Sequence, residues 1–290
     1  MKVPRGPGGA AITVFYIFLW ASAYVPSKIA SIESQPFWFL AVRFATAGAV
    51  LALVAVVVRA PFPKTVLGWV VGCSLGILAN ALYLGLTYLA LHRLSSGMGA
   101  IVASTNPLVL AAIAPFALGE RLSLFKSFGL LLGFGGVLAI VLARSSSGGA
   151  AWPDVSLAFG GVCASVASTV LYKRLGTNEN LLALSAIQLC TAGLVLVPFA
   201  ALSSGPPHVH LTPELVAAFW YLVLVLSIGA TLLWFWLLTH GEASRVSAYY
   251  YLTPAFGLAL SAIVLHEPLA AHDAFGLAAI AAGIVLVQRG

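Results

Sequence analysis

Charged residues are scarce in this chain. Asp, Glu, Lys and Arg make up 8% of its 290 residues, whereas soluble domains carry about 25% charged residues. Hydrophobic residues make up 61% of the chain. A chain of this composition cannot cover its surface with polar side chains, so the sequence excludes a soluble globular protein.

Cysteine is also rare, and the sequence has no segment with the alternating pattern of a membrane strand. The three cysteines, Cys73, Cys163 and Cys190, are scattered within apolar runs. Their odd number and wide spacing predict no disulfide framework and no metal site, so we expect no cofactor. The absent strand pattern leaves helices as the only way to cross a membrane.

Apolar runs of about 20 residues, the length that crosses a hydrocarbon core, recur along the chain. We therefore predict an all-α membrane protein with ten transmembrane helices. The first run has no small-residue cleavage site after it and is interpreted as a retained span. The predicted spans are 10–29, 36–58, 66–90, 97–118, 124–143, 155–173, 181–202, 214–238, 244–265 and 272–288.

The net charge of +6 reflects topology and predicts no nucleic-acid partner. With the N-terminus in the cytoplasm and alternating spans, ten basic residues lie inside, three lie outside, and Arg43 lies within a span. This bias places both termini in the cytoplasm. The inside set is Lys2, Arg5, Arg59, Lys64, Arg121, Lys126, Lys173, Arg174, Arg245 and Arg289, and the outside set is Lys28, Arg93 and Arg144.

The two halves of the sequence resemble each other. At an offset of 145, RFATAG (43–48) aligns with QLCTAG (188–193); at 147, Pro107 aligns with Pro254 and LGERL (118–122) with LHEPL (265–269). A Ser/Gly-rich connector divides the chain into repeats 1–148 and 149–290. Each repeat has five spans, so the second enters the membrane from the opposite side. Inverted repeats around a central cavity are characteristic of secondary transporters.

Ionisable residues within spans are few. No Asp or Glu lies deep in a span, which favours transport without ion coupling and disfavours cationic cargo. Arg43 could contact a substrate carboxylate, or it could be structural, bonding carbonyls near a helix end or reaching the interface. Its counterpart is the neutral Gln188, so the sequence favours the structural role. Lys28 and Lys173 are interpreted as interfacial anchors, with gating of an anionic group as the alternative.

Polar and aromatic side chains form stripes at helical spacing. Trp20 and Tyr24 share a face, as do their counterparts Ser165 and Thr169. One interpretation is that these stripes hydrogen-bond neighbouring helices or form an aromatic belt at the membrane interface. The other is that they line one cavity suited to a flat, net-neutral solute. We favour the cavity, because the stripes occupy matching positions in both halves. The other stripes are Asn80, Tyr83 and Thr87; Ser227, Thr231 and Trp234; and Ser104, Thr105 and Asn106.

The predicted substrate-binding residues follow from these stripes and from the YYY run at 249–251. The predicted stacking residues are Trp20, Tyr24, Tyr83, Trp234 and Tyr250, and the predicted polar contacts are Asn80, Ser104, Ser165 and Thr169.

Prolines and glycines suggest hinges and a scaffold. Pro107 and Pro254 each lie about ten residues into a span, where a proline permits a kink. They are predicted hinges for a rocking motion. Glycines at helix-packing spacing in spans five and ten, such as Gly136 and Gly283, predict close helix contact outside the cavity.

Catalytic patterns are absent. The SSGMG segment (95–99) does not match a nucleophile setting, and His266, His272 and Asp273 cluster only near a predicted loop. The sequence therefore predicts no enzyme. A structural subunit remains an alternative, but it has no need of polar stripes in both halves.

Together these motifs resemble the drug/metabolite transporter superfamily, of the EamA-like kind, along essentially the whole chain. The matching residues are LWASAYVPSK (19–28), the arginine of AVRFATAG, ALHRLSSG (90–97), NP (106–107), GERL (119–122) and TPAFGLALSAIVLHEPL (253–269). The small four-helix multidrug relatives carry a glutamate in the first span, which FYIFLWASAYV (15–25) lacks.

The resemblance implies two inverted five-helix bundles around a central cavity. Within the superfamily, the chain is most similar to aromatic amino acid exporters (YddG-like) of bacterial inner membranes. This implies a multi-pass inner-membrane protein, working as a monomer, that exports aromatic or other neutral amino acids and similar metabolites by alternating access. The alternative is a broad-specificity exporter of neutral metabolites or drugs, coupled to protons. Sugar phosphates are disfavoured because they require several cavity cations.

Overall fold

The computed structural model describes residues 7–119, 123–146, 150–175, 179–207, 211–233, 237, 252–269 and 271–289. Within these ranges the chain is helical and contains no strand. The α-helices are Pro7–Ser22, Tyr24–Glu33, Pro36–Val57, Val66–Leu75, Tyr83–Leu91, Ser96–Ala103, Asn106–Leu118, Leu124–Ser146, Trp152–Leu175, Leu181–Ser204, Pro213–Trp220, Thr253–Leu265 and Ala271–Arg289, and Gly76–Leu82 and Tyr221–Ala230 are π-helical.

Eight helical stretches are long and apolar enough to cross a membrane, and they match the first eight predicted spans. We number them spans 1 to 8: Ala11–Glu33, Pro36–Val57, Val66–Leu91, Ser96–Leu118, Leu124–Ser145, Trp152–Leu175, Leu181–Ser204 and Pro213–Leu233. The described part of the ninth predicted span is the shorter apolar helix Thr253–Leu265, and the tenth contains the apolar stretch Asp273–Val287. The all-helical membrane class is therefore confirmed.

Span 1 is interrupted at Ala23, between the helices Pro7–Ser22 and Tyr24–Glu33. Pro26 lies one turn later and has no N–H to donate to the carbonyl of Ser22, so the helical ladder is incomplete at this point. The Ser22 hydroxyl bonds the Leu19 carbonyl at 2.6 Å and lies 2.6 Å from the Tyr221 hydroxyl of span 8. The interruption is thus fixed by contacts within span 1 and to span 8.

Span 4 is interrupted at Ser104 and Thr105, and Pro107 lies in the first turn of the helix that follows. The Ser104 hydroxyl donates to the Ile101 carbonyl at 2.6 Å, and the Thr105 hydroxyl donates to the Val102 carbonyl at 2.7 Å. These side chains give hydrogen-bond partners to carbonyls near the break. Pro254 likewise lies in the first turn of Thr253–Leu265, but residues 238–251 before it lie outside the described residues.

Spans 3 and 8 each contain a π-helical segment, Gly76–Leu82 and Tyr221–Ala230. Such wide turns are rare and occur mostly at functional sites. The two segments occupy corresponding positions when the halves are aligned at the offsets of 145 and 147. Each widened segment changes the direction in which the following side chains point.

Spans 2 and 7 pack antiparallel at very close range. A Cβ on Gly48 would lie 2.7 Å from the backbone nitrogen of Cys190, and a Cβ on Gly193 would lie 2.8 Å from that of Ala45. Gly48 and Gly193 are counterparts at the 145 offset, and so are Ala45 and Cys190. The contact is therefore reciprocal: each glycine faces the same relative position on the other helix.

Span 5 and the helix Ala271–Arg289 pack in the same reciprocal way. A Cβ on Gly136 would lie 2.8 Å from the Gly276 carbonyl oxygen, and one on Gly129 would lie 2.7 Å from that of Gly283. The glycines whose spacing predicted close helix contact thus lie where these two helices meet. At one end of this helix pair, Asp273 of the helix Ala271–Arg289 accepts hydrogen bonds from Nε and Nη2 of Arg144 in span 5, at 3.0 and 2.6 Å. Asp273 thus lies in the first turn of this helix, at the start of the tenth predicted span, and in an ion pair.

Polar contacts join the span ends on one side of the helix layer, which we call the Glu267 face. It comprises the ends near Glu33, His92, Ser96, Ser204, Thr212 and Glu267. Lys28 Nζ donates to the Leu91 carbonyl at 2.6 Å, and Gln35 Nε2 to the Ser204 carbonyl at 3.1 Å. Thr212 bonds Glu33, tying the start of span 8 to the end of span 1. Lys28 therefore ties two span ends together, beyond the interfacial anchoring predicted for it.

Glu267 makes a further contact on this face that joins the two halves. Its carboxylate accepts hydrogen bonds from the backbone N–H groups of Ser96 at 2.8 Å and Gly97 at 3.2 Å. The Ser261 hydroxyl also bonds this carboxylate. An acid at a helix N-terminus is favourable because it satisfies unpaired N–H groups and opposes the helix dipole. Span 4 is thereby held against the helix Thr253–Leu265.

Candidate functional site

A cavity lies among spans 1, 2, 3, 7 and 8. Its accessible volume is about 90 Å³. Spans 1 to 3 supply most of its wall. Its lining residues are Trp20, Ala23, Tyr24, Ser27, Arg43, Phe44, Asn80, Tyr83, Leu84, Thr87, Leu91, Leu189, Leu226, Ser227 and Thr231.

The aromatic wall comes from spans 1 and 3. Trp20 and Tyr24 flank the interruption at Ala23, and Tyr83 begins the α-helix after the π segment of span 3. The hydroxyls of Tyr24 and Tyr83 lie 3.4 Å apart, so the two phenols meet across the cavity wall. Both tyrosines are buried, whereas Trp20 is 37% exposed.

The neutral polar lining comes from spans 3 and 8. Asn80 lies within the π segment of span 3, and Thr87 lies one turn after Tyr83, whose carbonyl accepts its hydroxyl at 2.8 Å. Ser227 lies within the π segment of span 8, and Thr231 follows it directly. The π segments of the two halves thus place amide and hydroxyl groups around one space.

Arg43 brings a positive charge to this lining. Its side chain is 5% exposed. Its Nε donates to the Ser227 hydroxyl and its Nη1 to the Tyr88 hydroxyl, each at 3.2 Å. Its guanidinium carbon lies 5.3 Å from the ring centroid of Phe44. Arg43 therefore bonds side-chain hydroxyls, and the expected bonding of a structural arginine to main-chain carbonyls is wrong.

Four of the predicted substrate-binding residues, Trp20, Tyr24, Asn80 and Tyr83, are brought together in this cavity. Three others, Ser104, Ser165 and Thr169, do not line it. Ser104 bonds its own helix, and Ser165 accepts from Asn106 Nδ2 at 2.9 Å, which links spans 4 and 6. The Thr169 hydroxyl donates to the Ser165 carbonyl at 3.1 Å. These hydroxyls are used for helix bonding, and their role in binding stays a prediction.

The remaining two predicted contacts, Trp234 and Tyr250, lie outside the described residues. Arg43 is the lining residue that sequence reasoning assigned to a structural role. The signal that could have placed it in the site was the charge itself, because an ionised side chain within a span usually faces an interior cavity. Across the described ranges, no group of His, Cys, Asp and Glu residues could hold a metal ion.

Comparison with known proteins gives the family. The model of the EamA-like transporter family matches the chain twice, over residues 8–142 and 152–289. The chain belongs to the EamA-like transporter family. This EamA-like protein is therefore a multi-pass membrane transporter.

Relatives of this EamA-like protein come from several kingdoms. It is 28% identical to the uncharacterized transporter YvbV of Bacillus subtilis, covering 96% of this chain and 91% of YvbV. It is 24% identical to a chloroplastic WAT1-related protein of Arabidopsis thaliana, and the match covers 93% of this chain and 67% of that protein. A solved crystal structure superposes with a TM-score of 0.68 over 96% of each chain. At 19% sequence identity, this likeness concerns the fold alone.

Proposed function

We propose that this transporter exports aromatic or other neutral amino acids and similar small metabolites from the cytoplasm, by alternating access and without ion coupling. One observation carries the proposal: aromatic rings and neutral polar groups share one cavity among spans of both halves. Trp20, Tyr24 and Tyr83 offer stacking surfaces, while Asn80 offers an amide that can both donate and accept hydrogen bonds. A flat solute with a zwitterionic head matches this lining.

We propose further that residues 1–148 and 149–290 are inverted five-helix repeats, giving ten spans. Three observations support this. The family model matches each half separately. The π segments of spans 3 and 8 occupy corresponding positions. The glycine contacts of spans 2 and 7 are reciprocal, as a twofold relation between the halves requires. Alternating access then consists of rocking one half against the other.

The proposed location is the inner membrane of a bacterial cell, with both termini in the cytoplasm. The predicted topology supports this orientation, since alternating spans would put ten basic residues on the side of the termini and three on the opposite side. The Glu267 face is then the extracytoplasmic side. We propose that the protein works as a monomer.

The proposal is tested by counterflow in proteoliposomes. Purified protein is reconstituted with unlabelled L-phenylalanine inside, and the entry of labelled phenylalanine, tyrosine, leucine, serine and lysine is measured. We expect the aromatic amino acids to enter fastest and lysine slowest. An imposed proton gradient leaves these rates unchanged if transport is uncoupled. Acceleration by the gradient favours the alternative, a proton-coupled exporter of neutral metabolites or drugs.

Two substitutions test the site within the same assay. Asn80→Ala removes the amide, and Tyr83→Ala removes one stacking ring together with the hydroxyl contact to Tyr24. We expect each to reduce counterflow by about tenfold or more, the effect of losing one good contact. Ser168→Ala is the matched control, because Ser168 does not line the cavity and its hydroxyl bonds the Ser165 carbonyl of its own helix. Unchanged transport in both Asn80→Ala and Tyr83→Ala contradicts this site.

A further inference from the structure

The charge of Arg43 is unbalanced within the described part of the chain. The ion pair that the described residues form is between Arg144 and Asp273, at the end of span 5. Arg43 is 95% buried, yet its two recorded partners are neutral hydroxyls. A buried cation is costly unless it meets an anion. A ligand that brings a negative charge would lower this cost, so an anionic ligand is the one that this site would bind most favourably.

The guanidinium is held in a fixed orientation. Nε is bonded to Ser227 of span 8, Nη1 is bonded to Tyr88 of span 3, and the Phe44 ring lies beside the guanidinium carbon. Tyr88 is fully buried, and its ring stacks on Phe39 with centroids 6.0 Å apart. Rigid support of this type makes a binding group effective, because little freedom is lost when the ligand arrives.

The guanidinium also keeps a donor for a ligand. Nη2 has no hydrogen-bond partner among the described residues, while the arginine lines the same cavity as Trp20 and Tyr83. Planar guanidinium groups bind carboxylates with charge-assisted hydrogen bonds. One cation balances one carboxylate, whereas a phosphate with nearly two negative charges calls for more cations.

We propose that Arg43 binds the carboxylate of the transported solute, so that a carboxylate is the group every substrate needs while an amino group is dispensable. This rests on the proposed function, since it names the substrate class of the same cavity: aromatic or apolar monocarboxylates, with or without an amino group. The amino group meets neutral groups of the lining such as Asn80 and Thr231. Hydrogen bonds to neutral acceptors are weaker than the charge-assisted bond to Arg43.

Three probes with the same phenethyl skeleton separate the two head groups. L-phenylalanine carries both groups, 3-phenylpropanoate lacks the amino group, and phenethylamine lacks the carboxylate. Each competes with labelled phenylalanine in counterflow, and each is titrated onto the purified protein by calorimetry. We expect 3-phenylpropanoate to bind within about tenfold of phenylalanine, and phenethylamine to bind roughly 10- to 100-fold more weakly than phenylalanine, the effect of losing one charged hydrogen bond. Equal binding of phenethylamine and phenylalanine overturns the proposal.

Substitutions then assign the discrimination to Arg43. In Arg43→Gln we expect 3-phenylpropanoate to lose its advantage over phenethylamine, and in Arg43→Lys part of that advantage returns. Arg93→Gln removes an exposed arginine of the Glu267 face and serves as the control with unchanged ratios. If the Arg43 variants fail to fold, Tyr88→Phe keeps the ring and removes one hydroxyl that orients Nη1. We expect it to weaken the binding of 3-phenylpropanoate and of phenylalanine, and to leave phenethylamine unchanged.

The results separate this inference from the proposed function. If the unmodified protein moves phenylalanine but Arg43→Gln keeps the full preference for carboxylates, the inference is wrong and the proposed function stands. If no amino acid is transported, the proposed function fails. In that case, if 3-phenylpropanoate binds the unmodified protein and not Arg43→Gln, Arg43 still forms a carboxylate site. If 3-phenylpropanoate does not bind the unmodified protein, the carboxylate site is rejected as well.

Discussion

At the scale of single residues, Gly48 sets how closely spans 2 and 7 approach. A Cβ added to Gly48 would lie 2.7 Å from the backbone nitrogen of Cys190. Because that nitrogen belongs to the backbone, no change of rotamer could relieve the clash. We expect Gly48→Ala to lower the free energy of unfolding by about 1–3 kcal/mol, the usual cost of overpacking. Thermal unfolding of the purified protein in detergent measures it.

Gly135 gives the matched control for this prediction. It lies in the helix Leu124–Ser146, and nothing lies within 4 Å of its Cβ position. We expect Gly135→Ala to leave stability unchanged or to raise it by about 0.5–1 kcal/mol, because alanine loses less backbone entropy in a helix. Equal effects of the two substitutions contradict the close approach of spans 2 and 7.

The ion pair of Arg144 and Asp273 gives a second prediction at this scale. Their side chains are 11% and 3% exposed, and the pair is bidentate. Asp273→Asn leaves a largely buried cation against a neutral amide, so we expect a loss of about 3–5 kcal/mol in unfolding free energy. The double variant with Arg144→Met and Asp273→Leu should lose much less. Thermal unfolding of Arg144→Met, Asp273→Leu and the double variant closes a double-mutant cycle that checks this, and additive losses reject it.

Helical spacing predicted which side chains share a face, but not what that face meets. Trp20, Tyr24 and Tyr83 meet a cavity, whereas Ser165 meets Asn106 of span 4. Serine and threonine hydroxyls can bond their own helix, so their polarity says little about substrate. The place of Arg43 in the cavity was not predicted, although the cost of a charge within a span could have indicated it.

At the scale of helices, the interruption of span 4 is the feature with a direct functional test. Pro107 follows the break at Ser104 and Thr105, whereas Pro115 lies inside the next helix. If the break is a hinge, Pro107→Ala should slow counterflow several-fold while the folded yield changes little. Pro115→Ala, in the same span, is the control and should affect transport less. Equal rates for the two variants argue against a hinge at Pro107.

The π-helical segments could not be predicted from the sequence. The bounds of spans 3 and 8 agreed with their apolar runs, but GILANAL and YLVLVLSIGA carry no composition signal for a wide turn. A π turn arises when one more residue enters a helical turn, and tertiary packing decides whether that is tolerated. Gly76 lies within one such segment, with 2.4 Å between its Cβ position and the Gln188 carbonyl oxygen.

At the scale of the whole molecule, hydrogen bonds between spans join the helix ends on the Glu267 face. Lys28 joins the ends of spans 1 and 3, Thr212 joins span 8 to Glu33, and Glu267 joins the second half to the start of span 4. Alternating access requires a second state in which such contacts are released. The strength of these contacts therefore sets how often the cavity opens to this face.

The contact of Glu267 is the one whose release we expect to be measurable. Its carboxylate accepts from Ser96 and Gly97 and is bonded by Ser261. Glu267→Gln removes the charge that opposes the dipole of the helix Ser96–Ala103, which weakens charge-assisted bonds typically worth about 1.5–3 kcal/mol each. A loss of about 1.4 kcal/mol in the closed state corresponds to a tenfold shift toward the open one.

A single cysteine reports this shift. Ser27 lines the cavity and is 6% exposed. In a background with Cys73, Cys163 and Cys190 replaced by alanine, Ser27→Cys should react slowly with a membrane-impermeant maleimide added at the Glu267 face. Adding Glu267→Gln should speed the reaction about tenfold, the ratio expected from that loss. Glu214→Gln, which removes an exposed acid on the same face, should leave the rate unchanged. If Glu267→Gln and Glu214→Gln label alike, the Glu267 contact does not hold the face closed.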